Sequence, residues 1–205
     1  MLVTASMAIG MAITTLFFPI ETHPRQVALA WPSYRIEGIF GWMMLYLAIL
    51  TIHLVWHGVV AIRNKKNHPA NRHWANVALN VLTIVAALYC AYRGWLIDEG
   101  LMEAFSLVGV ASGLTNLWFI YRAEPSRIMY QLEHVKAIVG SGISVYTAFM
   151  AFGFVRLNPG HALNPKMWAI PLAVGLVIII YHQMRIRLTY WRSRAALATA
   201  KPGPA

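Results

Sequence analysis

Apolar side chains fall into six long runs separated by short polar or basic segments, and the length of each run carries more information than its periodicity. The runs extend from Leu2 to Ile20, Ile36 to Ile62, Trp74 to Ile97, Leu101 to Tyr121, Leu132 to Val155 and Met167 to Leu188. A helix rising ~1.5 Å per residue needs roughly 20 apolar residues to cross about 30 Å of hydrocarbon, which each run approaches. The pattern predicts an all-α integral membrane protein, a six-transmembrane-helix bundle, with the second run forming the longest helix. Six crossings put both termini on one side. The first run lacks the basic start and small-residue cleavage pattern of a secretory signal and reaches Pro19 before a polar stretch, so it is read as a membrane helix. Residues 1–195 form a single transmembrane domain. The remainder, 196–205, with Lys201, Pro202 and Pro204, lacks a periodic apolar face and reads as a mobile cytoplasmic tail.

Composition narrows the class further. Hydrophobic residues make up 59% of the chain and charged ones 12%, with a mean hydropathy of +0.55, which is too apolar for one water-soluble globule. A net charge of +10 would suggest nucleic acid in a soluble protein. Here the basic residues sit at the ends of apolar runs, so the expected partner is the lipid bilayer and not nucleic acid. Arg63, Lys65, Lys66, Arg72, Arg122, Arg127, Lys136 and the basic residues from Arg185 to Lys201 fall on one face, whereas Arg25, Arg35, Arg93, Arg156 and Lys166 fall on the other. Basic loops resist translocation, so the richer face and both termini are assigned to the cytoplasm and the protein to the cell inner membrane. Glu21, Glu37, Asp98, Glu99 and Glu103 leave the opposite face near neutral. Trp31, Trp42, Trp95 and Trp168 toward one boundary, with Trp56, Trp74, Trp118 and Trp191 toward the other, fit interfacial belts.

Some chemistries are not supported. The single cysteine, Cys90, lies inside an apolar run, so neither a disulfide framework nor a thiolate zinc site can be assembled. There is no glycine-rich phosphate loop between a strand and a helix, and no intramembrane serine has an acid at matched depth. Gly109 and Gly113 form a GxxxG, and Gly140 and Gly142 thin the fifth helix. Small residues of this kind serve close helix packing, and the same positions could admit a flat macrocycle.

Ionisable groups inside a membrane are expensive, so each requires a partner or a function. His53 and His57 stand at i and i+4 on one face of the second helix, about 6 Å of rise apart. His134, beside Glu133 and near Tyr130, opens the fifth helix, and His182 lies near the inner end of the sixth. Four histidines from three helices therefore share the cytoplasmic half, with Asn76, Asn80, Asn116 and Gln183 at the same depth. His23, His68, His73 and His161, in loops or at helix mouths, read as solvated. Three uses of the cluster are open. Two axial imidazoles could hold a haem b in an electron-transfer protein; three or four could hold zinc or iron; or the groups could titrate along a proton or quinone path without a metal. The near absence of carboxylate favours a neutral macrocycle over hydrolytic zinc. An accessory subunit of a larger membrane complex, its histidines serving as interhelical hydrogen-bonders, is the structural alternative, and with it come other membrane subunits as partners.

The stretch through Phe105, Gly109, Tyr121-Arg122, Pro125, Arg127, Glu133-His134, Ile138, Gly140, Ile143 and Thr147-Ala148-Phe149 resembles a bacterial family of small multi-helix membrane proteins known as a domain of unknown function. Tyr34-Arg35, Gly38 and His57-Gly58 extend the resemblance to roughly Tyr34 to Phe152. It implies His57 and His134 as the principal positions and leaves His53 and His182 on the depth argument. The family has His-Met where this chain has His134-Val135, which removes a methionine sulfur as a ligand there. No activity follows from the likeness alone.

Overall fold

The computed structural model describes residues 1–17, 37–157 and 165–199, and all regular structure among them is helical. Helix α1 spans Leu2–Phe17, α2 Met44–Arg63, α3 Trp74–Leu96, α4 Gly100–Tyr121, α5 Arg127–Leu157 and α6 Pro165–Thr199. A π-helical segment, Glu37–Met43, runs straight into α2, and a 3₁₀ turn, His68–Arg72, stands before α3. Pro69 suits the opening of that turn because its missing N–H would have no partner there anyway. The His73 ring then accepts the Ala75 N–H and caps α3. Between α3 and α4 the chain reverses through Asp98 at φ 53°, a left-handed conformation that aspartate tolerates better than most non-glycine residues.

Four helical segments are long and apolar enough to cross a membrane among the described residues: Gly41–Arg63, Trp74–Leu96, Gly100–Tyr121 and Ala169–Ala196. The six runs all become helices; α1, of 16 described residues, and α5, which opens with Arg127, Glu133 and Lys136 and is apolar and uncharged from residue 137 to 154, are not among the four. Helix boundaries also differ from the apolar runs. The longest helix is α6, at 35 residues, because its arginine-rich segment is followed by Ala195, Ala196 and Leu197, good helix formers that carry the backbone on through Thr199. The expected tail at 196–205 therefore begins as helix. Pro19, His23, Trp31, Tyr34-Arg35, His161 and residues 200–205 lie outside the described residues.

Packing centres on α2. It lies between α5 on one side and the α3–α4 hairpin on another, with α1 against it and α6 packed on the far side of α5. Tyr46, Met44, Leu47, Cys90, Met102 and Phe105 are among the residues that form one apolar core. A smaller cluster of Ala61, Phe119 and Tyr130 closes the end where α2 and α4 finish and α5 starts. The bundle's own side chains close on Gly109, Gly113 and Gly140, whereas a Cβ at Gly142 would have nothing nearer than Met1 at 3.9 Å. A Cβ at Gly109 would run into the Tyr46 ring and Ala87, and one at Gly113 into Ile84 and the Asn80 carbonyl. On α2, Gly58 lets Ala137 and Ile138 of α5 approach to 3.1–3.3 Å of where its Cβ would be.

Candidate functional site: a buried imidazole and amide cluster

The polar residues of α2, α3 and α4 converge because each sits on the face its helix turns toward the others. His53, His57, Asn76, Asn80 and Asn116 are all 1% exposed or less, an unusual concentration of polar side chains for an interior. His53 Nε2 lies 2.8 Å from Asn80 Oδ1 and 3.3 Å from Asn116 Nδ2, so one imidazole joins three helices. The amide of Asn80 is oriented by its own donation to the Asn76 carbonyl at 2.7 Å, which leaves Oδ1 facing the ring. The His53 proton therefore belongs on Nε2, where it is donated to Asn80. In that tautomer Nε2 has no lone pair for Asn116 to use, and turning the Asn116 amide over would present its oxygen as a second acceptor. His53 Nδ1 is then a bare lone pair, and it has no hydrogen-bond partner.

The ladder continues toward the end of the bundle. Asn76 donates to the Asn71 carbonyl at 2.8 Å, and the Asn71 amide reaches the His68 carbonyl at 3.0 Å and His68 Nδ1 at 3.2 Å. His68 is thus not solvated, as its loop position suggested. It is 9% exposed, with Phe119 and Tyr130 presenting ring edges at 5.3 and 5.7 Å. The sequence signal for this was Asn71 three residues on, which folds the 3₁₀ turn back over the ring.

One turn beyond His53, His57 behaves differently. Its ring is 6.2 Å from that of His53 and lies edge-on to Phe119 at 5.9 Å, and neither ring nitrogen has a hydrogen bond. Its nearest charged group is Glu133, with Nε2 and Oε2 3.6 Å apart, an ion-pair distance longer than a hydrogen bond. Glu133 is 13% exposed and pairs with Lys136 one turn along α5, and Lys136 in turn donates to Thr115 Oγ1 of α4 at 3.3 Å. The line His57, Glu133, Lys136 runs from a fully buried ring to a side chain 25% exposed.

Of the other expected ligands, His134 is close by and His182 is not. His134 Nδ1 donates to the Gly58 carbonyl at 2.8 Å, which ties α5 to α2 beside His57 and leaves Nε2 as its only lone pair. His182 lies exposed on α6, its ring against Tyr181 at 5.3 Å. Among the described residues no group of three or more His, Cys, Asp or Glu side chains is placed to hold a metal ion. Two cavities open between the helices, one of about 420 Å³ lined by Arg127, Gln131, Arg185 and Tyr190 among others, and one of about 150 Å³ lined mainly by leucines and by Lys136, Ser144 and Thr147; no histidine lines either. His53 and His134 each give one ring N–H to a protein acceptor and keep the other nitrogen as a lone pair, as a ligating imidazole does, but among the described residues no third donor stands with them, and the bundle's own side chains close on Gly109 and Gly113.

No family model, no curated protein and no solved structure matches the chain, so the family resemblance rests on its motif residues alone.

Proposed function

We propose that this is a multi-pass membrane protein that transfers protons through the line His57, Glu133 and Lys136 at the basic end of its bundle. The observation that carries the reading is the burial of His57 with both ring nitrogens unpartnered, 3.6 Å from a carboxylate that is itself paired to the partly exposed Lys136. A buried polar atom without a partner costs about 1–3 kcal/mol, so an imidazole kept in this state is poorly explained as packing or as interhelical glue. Imidazole can accept a proton on one nitrogen and release another from the second. In this scheme Lys136 protonates the Glu133 carboxylate, Glu133 passes that proton to the lone pair of His57 Nε2, the regenerated carboxylate stabilises the imidazolium, and the ring gives up its Nδ1 proton to a water on its other side; Lys136 regains a proton from water at its exposed side.

The same reading takes α1 and α5 as the fifth and sixth crossings, with both termini in the cytoplasm and the protein in the inner membrane. Support comes from the ends of the helices. Arg72 donates to the Ile120 carbonyl, and Arg63, Arg122 and Arg127 terminate or open helices at the same end as His57, which is the distribution a cytoplasmic face requires.

The test is proton flux into vesicles containing the purified chain, driven by a potassium diffusion potential and read with an enclosed pH dye. The native chain should exceed empty vesicles, and His57→Phe and Glu133→Gln should each reduce the excess at least about tenfold. Flux equal to that of empty vesicles would end the proposal. A reduced-minus-oxidised absorption spectrum of protein from its native membrane tests the cofactor alternative, since bis-imidazole haem b gives sharp bands that His57→Ala and His134→Ala would abolish.

A further inference from the structure

The geometry points to a second site, unrelated to the histidines, in which Arg127 and Arg185 bind the phosphate of an anionic phospholipid. The cavity of about 420 Å³ lies between the first turn of α5 and the second half of α6, lined by Arg127, Ile128, Gln131, Arg185, Thr189 and Tyr190 among others. Its two cations come from different helices, and no carboxylate pairs with either arginine among the described residues. A planar guanidinium with several fixed donors matches phosphate oxygens two at a time, and Gln131 and Tyr190 add neutral donors on the same walls. Helix α5 begins at Arg127, so the positive end of its dipole lies beside the site.

Placement selects a lipid over a soluble phosphate. The cavity lies at the basic end of the bundle, where a cytoplasmic leaflet would present anionic headgroups. Along the face of α6 that continues from Arg185 away from the basic end, Tyr181, Ile178 and Val174 are 59%, 40% and 54% exposed, so acyl chains would lie against an apolar wall while the headgroup meets the arginines. Ile128 and Ile186 supply the apolar lining between the two levels.

Native mass spectrometry of the full chain in mild detergent, titrated with phosphatidylglycerol or phosphatidylcholine of identical chains, tests the site. The native chain should retain phosphatidylglycerol about tenfold more strongly, and Arg127→Gln with Arg185→Gln should bring the ratio to within about twofold. Lys65→Gln with Lys66→Gln, which removes the same charge elsewhere on the basic end, should leave the ratio unchanged. If the double arginine variant does not stay monodisperse, Arg185→Gln alone, on the exposed face of α6, should lower the ratio about threefold. No preference in the native chain, or a preference that survives loss of both arginines or disappears equally with the lysines, would overturn the proposal. Displacement of the lipid by millimolar inorganic phosphate would overturn it in favour of a soluble anion.

Discussion

Helices α2 and α6 both have the length and apolar character of a membrane span and both carry histidine in the half nearer the basic end, yet they occupy opposite positions in the molecule. In the most apolar stretch of α2, 56% of residues are buried; in that of α6, 6% are. Hydropathy therefore says little about which helix lies at the centre. In lipid an exposed leucine costs nothing, so no hydrophobic force draws an apolar helix inward. What places α2 centrally is its polar and small residues: Tyr46 donating to the Phe105 carbonyl at 2.8 Å, Thr51 against Ser144, His53 between two asparagines, and Gly58 under α5. Helix α6 offers Gly175 to Ile143 and little else that is polar and buried.

The largest separation between the two regions should come from glycine. Gly109→Leu forces a side chain into space held by the Tyr46 ring and Ala87, and should cost about 3 kcal/mol in detergent unfolding followed by circular dichroism. Gly175→Leu on the exposed helix α6 meets the β-branched Ile143 side chain alone and should cost less, about 1–2 kcal/mol, because Ile143 borders the cavity of about 150 Å³ and can shift into it. Equal losses would mean that α6 is packed as tightly as the centre. Next in size is Asn80→Ala, which leaves the buried His53 N–H without its acceptor, for an expected loss of about 1–2 kcal/mol by the same assay.

His57→Phe sharpens the contrast within α2 itself. Since neither His57 nitrogen is hydrogen-bonded, the somewhat larger apolar ring against Phe119 should cost less than about 1 kcal/mol, while proton flux falls. A loss as large as that of Asn80→Ala would make His57 a structural hydrogen-bonder and remove the reason for assigning it a proton. The smallest effect belongs to His182→Ala, on the exposed face of α6, which should stay within about 0.5 kcal/mol and leave flux unchanged.

Much of the site was legible along the chain, and the misreadings share a cause. His53 and His57 are marked by their spacing and depth, and Asn80 and Asn116 by being amides inside apolar runs, a placement that is costly unless partnered. His182 has the same depth and the same kind of helix around it, and nothing in its neighbourhood on the chain reports that α6 turns that face outward. His68 errs the other way: a histidine beside proline in a short basic loop reads as solvated, and only the approach of Phe119 and Tyr130 from two other helices buries it.

By itself the sequence determined the membrane class, the six helical runs and the charge asymmetry between the two ends, because each depends on length, composition or count, which are properties of one segment at a time. The central place of α2, the tautomer of His53 and the meeting of Arg127 with Arg185 were decided only by the tertiary structure. Each is a relation between segments far apart in the chain. In a bilayer such relations are set by a few close contacts and hydrogen bonds, with no apolar periodicity needed to aim a helix at its neighbours.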